Sequence, residues 1–97
     1  MKRQHILKIL DAHRDEISSR FGVSSLSLFG SVARDEATEV SDVDLLVTFK
    51  NTPGIFGFLA LKEHLEGLLQ CPVDLVTKSA LKQQFREQVL QEAVHAL

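Results

Sequence analysis

The stretch FGSVARDEATEVSDVDLLV, Phe29 to Val47, decides how this chain is read. A glycine-serine pair stands a dozen residues ahead of two aspartates that share one short apolar run. In DVDLLVTF, Val43, Leu45, Val47 and Phe49 alternate with Asp42, Asp44, Leu46 and Thr48, the period of a strand with one dry face. Asp42 and Asp44 then project from the same face, about 7 Å apart along the strand. Ionised carboxylates so close repel one another, and a divalent cation removes that repulsion most simply.

Working outward, Ile6, Leu10 and Ile17 recur at helical spacing and predict one amphipathic helix over Lys2–Ser19. FGVSS breaks it, and LSLF, Leu26–Phe29, is a short strand ending at Gly30. VARDEA makes a short helix at best and TEVS a loop. After DVDLLVTF, KNTPG ends the strand, and Phe58, Leu61, Leu65 and Leu68 stripe a second helix up to Leu69. CPVDLVTK is a third strand, and Leu81, Phe85, Val89 and Ala93 define a helix running to the end of the chain. The order predicts an α/β sandwich, a small sheet with flanking helices.

The 97 residues, 44% hydrophobic, support one compact domain over 1–97. With 11 Lys and Arg against 13 Asp and Glu, no direct nucleic-acid partner and no membrane surface is expected. One cysteine, Cys71, cannot form an internal disulfide and is expected as a small buried filler, in a reducing cytoplasm. The N-terminus lacks the apolar run of a signal peptide, and no segment is long enough to span a membrane. The four histidines do not cluster: His13 is expected at the core edge, His5, His64 and His95 facing solvent or an interface.

Hard oxygen ligands suit Mg²⁺, which takes one or two carboxylates plus substrate phosphates. If the third strand pairs beside DVDLLV, Asp74 joins Asp42 and Asp44, and three such carboxylates hold two ions about 4 Å apart. Gly30 lets the backbone approach a phosphate, Ser31 offers an N–H and a hydroxyl at a helix start, and Arg34 pairs with phosphate oxygens. The candidate site is thus two metal ions and a nucleoside triphosphate. Plainer readings stand beside it: SDVD as a helix capping box, Gly30-Ser31 as an ordinary turn, Asp74 as an edge charge resisting aggregation, Arg34 paired with Glu36 or Glu39. An EF-hand lacks its glycine and later glutamate.

GSVARDEATEVSDVDLLVTF resembles the signature of the nucleotidyltransferase superfamily, Gly-Ser followed at a distance by Asp-x-Asp, in the form of the minimal nucleotidyltransferases (the MNT family). PVDLVTKSALKQQFREQVLQEAVHAL resembles that family's end, so the likeness covers nearly the whole chain. The resemblance implies a polymerase-β-like palm, with Gly30, Ser31 and Arg34 at the triphosphate and Asp42, Asp44 and Asp74 coordinating two Mg²⁺ ions. It also implies transfer of AMP from ATP to a protein hydroxyl, by an antitoxin that adenylylates a tyrosine of a HEPN-domain ribonuclease toxin. The chain has no tyrosine and no arginine followed four to six residues later by histidine, as expected of the antitoxin half. Rival readings are an antitoxin that masks its partner without chemistry, and an adenylyltransferase of small molecules. Phe56 and Phe58 are expected in the core, and the first and last helices, or the region Phe56 to Phe58, are expected to meet the partner.

Overall fold

The computed structural model describes residues 2–38, 42–81 and 83–97. Its elements are α1 (Arg3–Ala12), α2 (Arg14–Phe21), β1 (Val23–Phe29), α3 (Gly30–Ala33), β2 (Val43–Phe49), α4 (Ile55–Leu69), β3 (Val73–Thr77), a 3-10 turn (Lys78–Ala80), α5 (Gln83–Glu92) and β4 (Val94–His95). The four strands lie in the order β3-β2-β1-β4, with β2 and β3 parallel and the other pairs antiparallel. The fold is the expected α/β sandwich. Of the expected loop at Thr38–Ser41, residues 39–41 lie outside the described residues.

Alternation in β2 sends Val43, Leu45 and Val47 to one face, where Leu26 and Leu28 of β1 and Val73 and Leu75 of β3 stand in register with them. A register shift between Val23 and Ser25 returns Val23 to the same buried side. Ile6, Leu10, Ile17, Leu61, Leu65 and Leu69 close this core from α1, α2 and α4. The opposite face carries Ser25, Ser27 and Phe29 of β1, Asp44, Leu46 and Thr48 of β2, and Asp74 and Val76 of β3. α1, α2 and α4 therefore take the first face, while the second carries Asp44 and Asp74 together with buried Leu46.

Several expectations are corrected. The first helix is divided at His13, where the backbone leaves helical geometry (φ −111°, ψ 17°), and its second part runs on to Phe21 before Gly22 (φ +65°) turns the chain. The last helix stops at Glu92. Val94 and His95 then pair with Leu28 and Ser27 along the free edge of β1, and the N–H groups of Ala96 and Leu97 both donate to Leu26 O, at 2.8 and 3.0 Å. An open strand edge offers a row of unpaired backbone groups, and these residues satisfy them. The stripe expected on the last helix is not fully buried: Phe85 is half exposed, and Leu81, Val89 and Ala93 are only partly buried. Phe58 packs at the core margin, whereas Phe56 is 85% exposed beside exposed Ile55 and Leu59. Cys71 is only partly buried. His64 is more enclosed than expected, its ring tilted against that of Phe21 at 5.0 Å with Nε2 3.3 Å from Glu16 Oε1. Among the described residues no helix is long and apolar enough to cross a membrane.

Candidate active site

The site forms where β1 ends and β2 begins. Their antiparallel register sets Phe29 opposite Asp44, so the next residue, Gly30, is delivered to the Asp44 carboxyl. Gly30 has φ +73°, and a Cβ there would collide with Asp44 Oδ2 and lie 3.0 Å from its Cγ. Both facts require glycine, one through backbone sterics and the other through space. Gly30 and Ser31 open α3, whose last turn closes with the Arg34 N–H on Gly30 O and the Glu36 N–H on Ser31 O, at 3.2 and 2.8 Å.

The third aspartate arrives by the parallel pairing of β3 with β2, which places Asp74 beside Asp44. Two bonds pin that register: the Val43 N–H donates to Pro72 O and the Val73 N–H to Glu66 Oε2, both at 3.0 Å. Asp42 lies just ahead of β2 and is exposed, as is Asp74, while Asp44 is partly buried. Burial chiefly, then the charges of Asp74 and Asp42 and a hydrogen bond with Asp74, push the Asp44 carboxyl up from 3.8 to about 6, with the Arg34 charge pulling the other way. Among the described residues no three His, Cys, Asp or Glu side chains stand gathered as a ready cage for an ion. The donor chemistry nevertheless fits Mg²⁺. Carboxylate oxygens grouped on neighbouring strands, with the Asp44 carboxyl raised to about 6 by burial first and then by its neighbours' charges, are the donor type Mg²⁺ takes, and glycine at position 30 lets the backbone come up against Asp44.

Arg34 takes the ion-pair position that its plainer reading anticipated. Its Nε donates to Glu36 Oε2 at 3.1 Å, and its Nη1 donates to Glu92 Oε2 at 3.2 Å. The Glu36 hydrogen bond chiefly raises its pKa, the charges of Glu36 and Glu92 adding to it against the effect of burial. Glu39, the other partner anticipated, lies outside the described residues.

Sequence reasoning passed over the residues that brace this turn. Asp35 adopts φ +56°, a conformation that Asp tolerates better than most side chains. Its Oδ1 accepts the Arg3 N–H at 3.0 Å, and Arg3 Nη1 donates to Ala33 O at 3.0 Å. Glu66 and Glu92 were missed as well, and no local pattern marks any of the four. A separate hollow of about 580 Å³ lies at the other end of β2, against Thr48, Phe49, Pro53, Ile55, Phe58 and Lys78.

A small mixed sheet that carries paired aspartates on its polar face, beside a glycine-serine turn at the end of the neighbouring strand, is the palm of a nucleotidyltransferase. The chain belongs to the nucleotidyltransferase domain family, whose sequence pattern matches residues 10–96, and within it to the minimal nucleotidyltransferases. It is 48% identical over 92 residues to protein adenylyltransferase MntA of Thermococcus cleftensis, covering 95% of this chain and 93% of that protein. A solved structure described as a minimal nucleotidyltransferase superposes with TM-score 0.76 at 42% identity, covering 97% of this chain and 95% of the other. A toxin-antitoxin crystallised with AMP-PNP superposes with TM-score 0.71 at 25% identity, covering all of this chain and 73% of the other.

Proposed function

We propose that this chain is a protein adenylyltransferase that transfers AMP from ATP to a tyrosine of a HEPN-domain ribonuclease toxin in the cytoplasm and so acts as its antitoxin. The observation that carries the reading is the contact geometry of Gly30 with Asp44, beside Asp74 in register: a glycine-serine turn brought directly against a carboxylate pair. The 48% identity to an archaeal protein adenylyltransferase supports the reaction, and the toxin-antitoxin with AMP-PNP supports both the nucleotide and the kind of partner.

On this reading residues 1–97 are one minimal nucleotidyltransferase domain. The acceptor hydroxyl belongs to the partner, since the chain has no tyrosine of its own. Gly30 and Ser31 receive the β- and γ-phosphates through backbone N–H groups and the Ser31 hydroxyl, and Arg34 pairs with phosphate oxygens. Asp42, Asp44 and Asp74 hold two Mg²⁺ ions. When bound there, Mg²⁺ makes the acceptor hydroxyl more acidic and offsets charge on the departing pyrophosphate. The tyrosine oxygen bonds to the α-phosphorus, the α-β phosphoanhydride bond breaks, pyrophosphate leaves, and the hydroxyl proton passes to solvent. The chain's own contribution is alignment: β1 and β3 fix Gly30 and Asp74 on either side of Asp44, so the triphosphate and the attacking oxygen meet over one carboxylate cluster.

The test is the intact mass of a HEPN-domain protein encoded beside this chain, after incubation with the chain, ATP and Mg²⁺, next to an Asp42→Ala/Asp44→Ala control. AMP increments on the partner that the control lacks are the expected result. A partner that is bound and silenced without any increment would establish masking instead.

A further inference from the structure

Arg34 is held from two sides by carboxylates of very different origin. Glu36 is two residues along the same loop and can move with it. Glu92 lies 58 positions further on, at the end of α5. Two residues later the chain pairs with β1, Val94 against Leu28 and His95 against Ser27, and β1 is the strand that delivers Gly30. The β4 pairing therefore sets Glu92 in register with the glycine-serine turn.

A guanidinium has five N–H donors. The bonds to Glu36 and Glu92 use one on Nε and one on Nη1, which leaves three for a polyanion. A planar group gripped at two points by separate elements has its plane fixed, and a fixed fork meets phosphate oxygens with less loss of side-chain freedom than a swinging one. Arg34 is exposed and stands just past a helix of four residues, as its C-cap, so its own element cannot supply that constraint.

We propose that Glu92 is a positioning residue for the nucleotide: through Arg34 it orients the guanidinium toward the phosphates held at Gly30 and Ser31. The proposal rests on the triphosphate reading of the site, and it makes α5 and the β4 edge part of nucleotide recognition. Glu92 touches neither nucleotide nor metal; it acts only through Arg34.

The test is calorimetric binding of ATP with Mg²⁺ at pH 7.5 to the parent chain and to Glu92→Ala, Glu92→Gln, Arg34→Ala and Arg34→Ala/Glu92→Ala, with circular dichroism melts confirming that each is folded. Glu92→Ala is expected to raise Kd roughly 3- to 10-fold, the effect of one hydrogen bond that fixes a charged group. Glu92→Gln keeps an oxygen acceptor and returns Kd to within about twofold of the parent. In the Arg34→Ala background the Glu92 substitution has no further effect, and with acceptor present the change falls on KM for ATP rather than on kcat. Tighter binding by Glu92→Ala would show a competitor for Arg34 and overturn the proposal, as would an unchanged Kd or an equal loss without Arg34. Failure of the parent chain itself to bind ATP would instead reject the triphosphate reading.

Discussion

Gly30→Ala puts the whole arrangement at risk through a single methyl group. Two costs can be read from the structure. At φ +73° an alanine sits in the left-handed region, which for a residue with a Cβ costs about 1–2 kcal/mol. The new Cβ also collides with Asp44 Oδ2, and turning that carboxyl off its rotamer costs about 0.5–1.5 kcal/mol more. The sum, about 1.5–3.5 kcal/mol, corresponds to a fall in Tm of roughly 6–28 °C for a chain of this size. Gly67→Ala is the matched control. It lies inside α4 with nothing within 4 Å of its would-be Cβ, so the same chemical change is expected to stabilise by about 0.5–1 kcal/mol. Thermal melts of the metal-free protein, followed by circular dichroism, measure both. Repeating Gly30→Ala in an Asp44→Ala background separates the costs: the backbone part persists and the carboxyl part disappears. AMP transfer by Gly30→Ala is expected to drop at least about 100-fold, because the displaced group is the one the site is built around. A Tm within about 2 °C of the parent, or an equal loss in both backgrounds, would refute the reasoning.

In EDTA, the Asp44 carboxyl, raised from 3.8 to about 6 in the folded chain, opposes folding as it ionises. The folded state binds the extra proton between those values, so stability falls as pH climbs through that window and the deficit is complete above it. Asp44→Asn is therefore expected to be more stable than the parent at pH 7.5, by about 1–2 kcal/mol after allowance for solvent screening. The gain should vanish toward pH 4 in urea titrations. Saturating Mg²⁺ at pH 7.5 should raise the Tm of the parent and leave Asp44→Asn unmoved, a comparison that differential scanning fluorimetry makes directly. Leu65→Ala, which empties a fully buried site between α4 and the sheet, should cost about 2–5 kcal/mol in chemical denaturation. Phe56→Ser, on an 85% exposed side chain, should stay within about 0.5 kcal/mol of the parent in the same assay.

The glycine-serine turn and the Asp-x-Asp strand were legible because each is a local pattern. Period-2 alternation separated Asp44 from Val43, Leu45 and Val47, and the structure keeps those four so divided, although Leu46 beyond Asp44 is buried as well and Phe49 only partly so. Asp74 was legible only conditionally, since its value depended on β3 lying parallel beside β2 with Val73 opposite Val43. The bonds that secure this register come from Pro72 and from Glu66 on α4, residues that look ordinary in the sequence. The final helix was overextended for a related reason. AVHAL continues a helical pattern taken alone, but the free edge of β1 supplies backbone partners that no local window contains.

What the sequence by itself determined was the periodicity of β2 and β3, the core stripe of Leu61 and Leu65 on α4, and the residue types Gly30, Ser31, Asp42 and Asp44 from which the candidate site is proposed. Side-chain alternation and turn propensity are properties of a few consecutive residues, so they survive being read one segment at a time. Tertiary structure alone decided that Asp44 is the carboxyl pressed between Gly30 and Asp74, that Phe56 faces solvent while Phe58 packs at the core margin, and that Glu92 reaches Arg34. Register, strand edges and long-range ion pairs belong to pairs of segments, and their energies appear only when the segments meet.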